Sequence, residues 1–263
     1  MTSGTAEKLD EFFDGFTAGA KPFLLLDYDG TLAPFRRDRF KARPWAGVRE
    51  LLQQIQSQGE TRIVVISGRP PEEIAPLLGL EQTLEVWGLH GAERLHPDGR
   101  REMERIPDAT RARLDELRAE LNQDSFGGLF EDKPNAAVMH WRGASPDKAA
   151  EIEQRTRALF EPMAQMEGLT LLKFESGLEL RAGRDKGGAV EAILAETTGM
   201  GPVAFLGDDV TDETAIRAVN RAAGTHLSVL MRKEWRETEA DVWLRPPGEL
   251  RLFLRRWRGS VRQ

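Results

Sequence analysis

The sequence predicts an α/β fold: a Rossmann-like parallel sheet clad in helices, with a smaller α/β domain inserted into it. Three observations predict it. Short apolar runs alternate with segments of helical period, the pattern of parallel strands joined by crossover helices. Each run ends in a polar or glycine-bearing cluster, as the exits of buried strands do. Between residues 104 and 182 the pattern changes to charged helices and neighbouring strands, which sets that stretch apart as an insertion.

In chain order, Phe23 to Leu26, Arg62 to Ile66 and Val203 to Leu206 read as buried strands. Between the first two, Val48, Leu51, Leu52 and Ile55 recur at helical spacing, with Gly59 as the stop. In the middle, residues 107–122 form a charged helix with Leu114, Leu117 and Leu121 on one side. Ala136 to Trp141 reads as a strand and Pro146 to Phe160 as a helix. Leu169 to Phe174 and Leu178 to Arg181 read as two strands joined through Glu175-Ser176-Gly177. After Lys186, the residues Val190, Ile193 and Leu194 mark a helix closing near Gly199. Leu250, Phe253, Leu254 and Trp257 form a last amphipathic stripe, and Arg251, Arg255, Arg256 and Arg258 read as its solvated face. The expected domains are therefore 1–103 with 183–263, and 104–182.

Composition limits the function. The 263 residues carry 37 Lys and Arg against 43 Asp and Glu, a net charge of −6 that suits no unaided grip on nucleic acid. Cysteine is absent, so disulfides, thiolate nucleophiles and cysteine-ligated metals are excluded. No apolar run approaches the roughly 20 residues of a membrane span, and the acidic start shows no export signal. A cytoplasmic, monomeric protein acting on a small molecule is expected.

The chemistry lies at strand ends, where open α/β sheets place ligands. Asp27-Tyr28-Asp29-Gly30-Thr31-Leu32 follows the run FLLL and sends two acids into one cleft, although Asp29-Gly30 also suits a plain turn and Asp27 a helix cap. Gly207-Asp208-Asp209-Val210-Thr211-Asp212-Glu213 follows VAFL. Four acids in seven positions repel one another unless a cation or a helix amino terminus absorbs the charge. Capping accounts for Thr211 and Asp212-Glu213 but not for Asp208 and Asp209, which are hard oxygen donors of the kind magnesium prefers. Ser67-Gly68-Arg69 offers a hydroxyl and backbone N–H groups to a phosphate oxygen. Lys186 opens a helix against the dipole, so it needs an acid or an anionic ligand as partner. His90 suits either catalysis or a buried loop hydrogen bond, and the four histidines show no zinc spacing. Trp141 suits either sugar stacking or core packing, and Glu131 and Lys133 alone would read as solvated charges.

In this order the four motifs resemble those of the haloacid dehalogenase-like phosphohydrolases. With Leu89-His90-Gly91-Ala92-Glu93, Glu131-Asp132-Lys133-Pro134, His140-Trp141-Arg142 and Glu179-Leu180-Arg181, the chain is similar over nearly its whole length to the trehalose-6-phosphate phosphatase family. Trp141 stands where tyrosine is usual, Ile216 where an aromatic is common, and the segment after Leu227 diverges. The resemblance implies a hydrolase core with an inserted α/β cap. It makes Asp27 the nucleophile and Asp29 the general acid, then the base. Mg2+ would be held by Asp27, the Asp29 carbonyl and Asp208, with Asp209 or Asp212 steadying its water shell. Ser67 and Lys186 would bind phosphoryl oxygens near Thr31 and Gly68, with Arg69 and His90 also on the substrate side. Glu131, Lys133, Arg142 and Glu179 of the cap would bind the sugar. Two rivals share much of this: a capped phosphatase for glucosylglycerol or mannosylglycerate phosphate, and a non-catalytic phosphosugar-sensing module.

Overall fold

The chain's structure, a computed structural model, describes residues 3–17, 19–123, 129–133, 135–174, 176–196 and 201–261. Pro134, Glu175 and Gly199, which figure in the sequence reading, lie outside them. Its elements in chain order begin α1 (Ser3–Asp14), β1 (Phe23–Leu26), α2 (Val48–Gln58), β2 (Arg62–Ile66), α3 (Pro71–Leu78), β3 (Glu85–Gly88), β4 (Glu93–Leu95) and β5 (Arg101–Met103). There follow α4 (Asp108–Gln123), β6 (Phe130–Lys133), β7 (Ala136–His140), α5 (Pro146–Met163), β8 (Leu169–Phe174) and β9 (Gly177–Ala182). The chain ends with α6 (Lys186–Ala195), β10 (Val203–Gly207), α7 (Glu213–Asn220), β11 (His226–Met231), β12 (Val242–Leu244) and α8 (Gly248–Ser260). It divides into two compact units, Met1–Met103 with Asp185–Gln263, and Glu104–Arg184. The second boundary falls two residues beyond the 182/183 expected from the sequence. Among the described residues no helix is long and apolar enough to cross a membrane.

The larger unit is an eight-stranded sheet in the order β12-β11-β10-β1-β2-β3-β4-β5, parallel from β12 to β3 and antiparallel at β4 and β5. The chain leaves β1 toward β2 and β3, then returns to build β10, β11 and β12 on the other side. That reversal beside β1 opens a crevice at the carboxyl ends of β1 and β10. β1 is wholly buried because helices cover both faces. Leu24 and Leu26 pack with α1, α2 and α8, including Phe12, Leu52, Phe253 and the fully buried Trp257. Phe23 and Leu25 pack on the opposite face with α6 and α7 through Val190, Ile193, Ile216 and Val219. Arg255 and Arg256 of α8 are exposed, and Arg251 and Arg258 half-buried, so the arginine side of this helix does face solvent.

The smaller unit, the insert, is an antiparallel sheet in the order β6-β7-β9-β8 with α4 and α5 on one face. Leu114, Leu117 and Leu121 of α4 meet Met139, Leu178 and Leu180 there. Trp141 is buried in the same cluster, so core packing rather than an open stacking surface describes it here.

Candidate active site

The crevice is assembled by the register of β1. Leu26 pairs with Leu206 of β10 and Val65 of β2, so Asp27 emerges level with the ends of both neighbours. Its amide still donates to Leu206 O at 2.9 Å, which fixes the exit direction. Tyr28 is fully buried, its hydroxyl donating to Ala42 O at 2.7 Å, and this pins the turn that follows. Gly30 has φ +85, and a Cβ there would lie 2.0 Å from Asp208 Oδ2, so only glycine lets the carboxylate from β10 lie against this turn.

Lys186 Nζ sits between two carboxylates, donating to Asp27 Oδ1 at 2.7 Å and Asp212 Oδ1 at 2.6 Å. These are the partners that a lysine at the first residue of α6 requires. Asp212 Oδ2 in turn accepts from the amides of Asp208 and Asp209, each at 2.9 Å. Asp27, Asp208 and Asp212 are all buried and bring carboxylate oxygens within 4.8 Å of one another. Burial raises the Asp27 carboxyl above its ordinary range and Asp212 pushes the same way, while Lys186 opposes both. Burial raises Asp208 as well, reinforced by Asp27, Asp212 and Asp209. Burial works against the Lys186 charge, yet Asp212 and Asp27 outweigh it and hold the ammonium protonated.

Among the described residues, three buried carboxylates face a single ammonium, and Asp27 Oδ2 is buried without a hydrogen-bond partner. Such a donor set, all hard oxygens with charge in excess, fits a divalent cation such as Mg2+. Asp209, assigned to the metal from the sequence, is not in this cluster. Its Oδ1 accepts from Val210 N at 2.7 Å and caps the short helical turn Val210–Asp212. That turn brings Asp212 inward and leaves Asp209 on the rim.

Arg69 also departs from its expected place. Its guanidinium does not point at an open anion site: Nε and Nη2 donate to the two Asp29 oxygens, both at 2.6 Å, and Nη1 donates to Arg39 O at 2.7 Å. Ser67 is buried beside it, with Oγ accepting from Arg69 N at 3.2 Å. Thr31 is fully buried, and its hydroxyl has no partner among the described residues. Leu89 and His90, at φ 49 and 60, are consecutive non-glycine residues in the left-handed region. This bend lays the imidazole over Gly68, where a Cβ would be 2.6 Å from His90 Nε2, and His90 N donates to Ser67 O at 2.8 Å. His90 therefore backs the Ser67-Gly68 turn.

In the insert, Val138 pairs with both Glu131 and Glu179, and Ala136 with both Lys133 and Arg181. Residues directly opposite share a face, so these four charges lie on the face away from α4 and α5. Lys133 Nζ donates to Glu179 Oε2 at 3.4 Å, Glu131 meets His140 at 2.9 Å, and Arg181 lies 3.6 Å from Glu179 Oε1. Arg142 is exposed beyond the end of β7, apart from this row. Arg181 has no role in the sequence reading of the Glu179-Leu180-Arg181 motif. Its register with Lys133 is the signal that places it here.

Residues 25–243 match the family model described as trehalose-phosphatase. The chain belongs to the trehalose-phosphatase family. It is 31% identical over 219 residues to the trehalose-phosphate phosphatase of Mycobacterium marinum, covering 78% of this chain and 53% of that protein. The chain thus spans about half the length of that relative. It is 28% identical to the trehalose-6-phosphate phosphatase of Escherichia coli, covering 85% of each. In structure it resembles Aspergillus fumigatus trehalose-6-phosphate phosphatase with a TM-score of 0.73 at 25% identity, covering 97% of both chains.

Proposed function

We propose that this trehalose-phosphatase family member hydrolyses trehalose 6-phosphate to trehalose and inorganic phosphate through an aspartyl-phosphate. The observation that carries this reading is the buried Asp27–Lys186–Asp212 chain at the switch point of the sheet, with an unpartnered Asp27 oxygen. An Asp27 oxygen attacks phosphorus, and the bond from phosphorus to the sugar oxygen breaks. Asp29, entering the step as the protonated acid, gives its proton to that leaving oxygen. Water then attacks the aspartyl-phosphate, giving its proton to Asp29 and returning Asp27 as a carboxylate. In this structure both Asp29 oxygens are on Arg69, so delivery of a proton requires at least one of them to turn away.

Attack by a carboxylate on a phosphate dianion is opposed by like charge, and Lys186 offsets part of this at Asp27. Mg2+ would be held by Asp27, Asp208 and the Asp29 carbonyl, with Asp212 close by, and would supply the remaining neutralisation of phosphoryl charge. Ser67, Thr31 and the backbone at Gly68 are assigned to phosphoryl oxygens. Glu131, Lys133, Glu179 and Arg142 of the insert are assigned to the sugar. Phosphate release measured over a panel of sugar phosphates, with magnesium and with a chelator, tests the reading. Release from trehalose 6-phosphate only with magnesium is expected. No release from any sugar phosphate would favour a sensing module, and a preference for glucosylglycerol or mannosylglycerate phosphate would change the substrate.

A further inference from the structure

The Asp208–Asp209 turn is held on both edges. On its inner edge, the two amides donate to Asp212 Oδ2. On its outer edge, the two carbonyls meet an arginine from the segment after β11. Arg236 Nε donates to Asp208 O at 3.3 Å and Nη2 to Asp209 O at 2.6 Å, while Arg232 Nη1 also donates to Asp208 O at 3.3 Å. Arg236 is itself oriented by Glu213 at the first residue of α7. Glu213 Oε1 also accepts from Thr238 Oγ1 at 2.8 Å, and its Oε2 accepts from Glu239 N at 3.1 Å. Arg236 and Glu213 are largely buried, with 15% and 13% of their side chains exposed.

We infer that Arg236 is a positioning residue for the metal-binding turn, holding the Asp208 main chain so that its carboxylate stays in the Asp27 and Asp212 cluster. The inference rests on the metal-assisted reading above. A planar guanidinium can span two successive carbonyls with its Nε and Nη2 edge, which a lysine ammonium cannot reproduce. Outer partners of this kind set the orientation of the ligand they support. Charge alone predicts the opposite behaviour. Two arginines beside four acids repel an incoming cation, so a merely electrostatic Arg236 would, on removal, leave metal binding tighter. The sign of the change therefore separates the two accounts.

The test is calorimetric titration of Mg2+ into the full chain, with kcat measured at saturating magnesium. Arg236→Gln should weaken magnesium binding by about 10- to 100-fold, with kcat recovering toward the wild-type value once the metal saturates. Arg236→Lys should fall between the two. Glu213→Gln, which removes the charged partner of Arg236 Nη1 and leaves that nitrogen on Glu237 O at 2.7 Å, should weaken binding in the same direction but less, and it serves if Arg236→Gln does not fold. Arg217→Gln should bind magnesium like the wild type, because among the described residues the Arg217 side chain bonds Glu239 Oε1, at 3.0 Å, and no carbonyl of the turn. Unchanged or tighter binding in a folded Arg236→Gln or Glu213→Gln variant would overturn the inference, as would equal weakening in Arg217→Gln. A wild-type chain that binds no magnesium would remove the metal reading itself.

Discussion

Gly30→Ala tests whether the crevice depends on the close approach of two strand ends, because its effect divides into two parts. The first is backbone strain: at φ +85 an alanine costs about 1–2 kcal/mol. For a chain of this size that lowers Tm by a few degrees, roughly 2–4 °C for each kcal/mol. The second part is local. The new methyl would lie 2.0 Å from Asp208 Oδ2 and 2.3 Å from Cγ, where ordinary contact begins at 3.4 Å. Asp208 must therefore retreat by more than an ångström from a cluster whose oxygens now lie within 4.8 Å of one another. Misplacement on the order of 1 Å costs about 100-fold in rate. Gly59→Ala supplies the control: Gly59 has φ +77 at the end of α2, with nothing within 4 Å of a Cβ. Both variants should melt a few degrees early, and only Gly30→Ala should lose about 100-fold or more in kcat for phosphate release at saturating magnesium. Near-normal turnover by Gly30→Ala, or equal loss in both variants, would refute the reasoning.

Three further outcomes are expected. Asp27→Asn should form no phosphoenzyme and lose several orders of magnitude in turnover, whereas Asp29→Asn should spare an aryl phosphate relative to the sugar phosphate, because a good leaving group needs no proton; trapping with radiolabelled phosphate reads both. Lys133→Ala or Glu131→Ala should lower kcat/KM for trehalose 6-phosphate by about 10- to 100-fold and leave a small aryl phosphate nearly unchanged, and equal loss with both substrates would mean damage to the fold. For Asp241, burial alone would raise the carboxyl, but the Ser228 amide and hydroxyl and the Lys8 ammonium hold it below its ordinary 3.8. A carboxyl depressed in the folded state stabilises above its unfolded value and loses that contribution as pH falls through its folded value. Asp241→Asn should therefore lower Tm at pH 7, with a difference from wild type that shrinks below about pH 4; a difference independent of pH in thermal melts would contradict the ion-pair account.

The parts of the fold that were legible in the sequence are those where burial and composition agree. FLLL, RIVVI and VAFL are buried strands, and their apolar runs end where the chain turns into the crevice. β6 was not legible, because Phe-Glu-Asp-Lys carries charge on three of four positions. It is a strand through backbone pairing to β7, with Glu131 and Lys133 on the helix-free face and Asp132 turned to Arg118 of α4. β5 is fully exposed and is tied to β4 by Arg101 with Glu93, a contact that no hydrophobic period announces. Within the site, the motifs were legible because each directly follows an apolar strand. The choice between Asp209 and Asp212 was not: the turn Val210–Asp212 decides which acid faces inward. Nor could the sequence show that Arg69 would close on an acid 40 positions away.

That last contact changes how the Asp27-Tyr28-Asp29 motif is understood. Two carboxylates one residue apart would repel each other if they shared a solvent-poor cleft. Here a cation meets each: Lys186, shared with Asp212, for Asp27 and Arg69 for Asp29, supplied by α6 and by the turn after β2. The division also suits different tasks. Lys186 is anchored by Asp212 as well, so in the proposed mechanism the Asp27 carboxylate would stay in place while charge develops on phosphorus. Arg69 takes up both Asp29 oxygens and is steadied by Arg39 O, which holds the proposed proton-transfer group in one orientation. If Asp27 and Asp29 act as proposed, a fixed nucleophile beside a separately held acid is what a two-step phosphoryl transfer requires, since the acid must give a proton in one step and take one in the next.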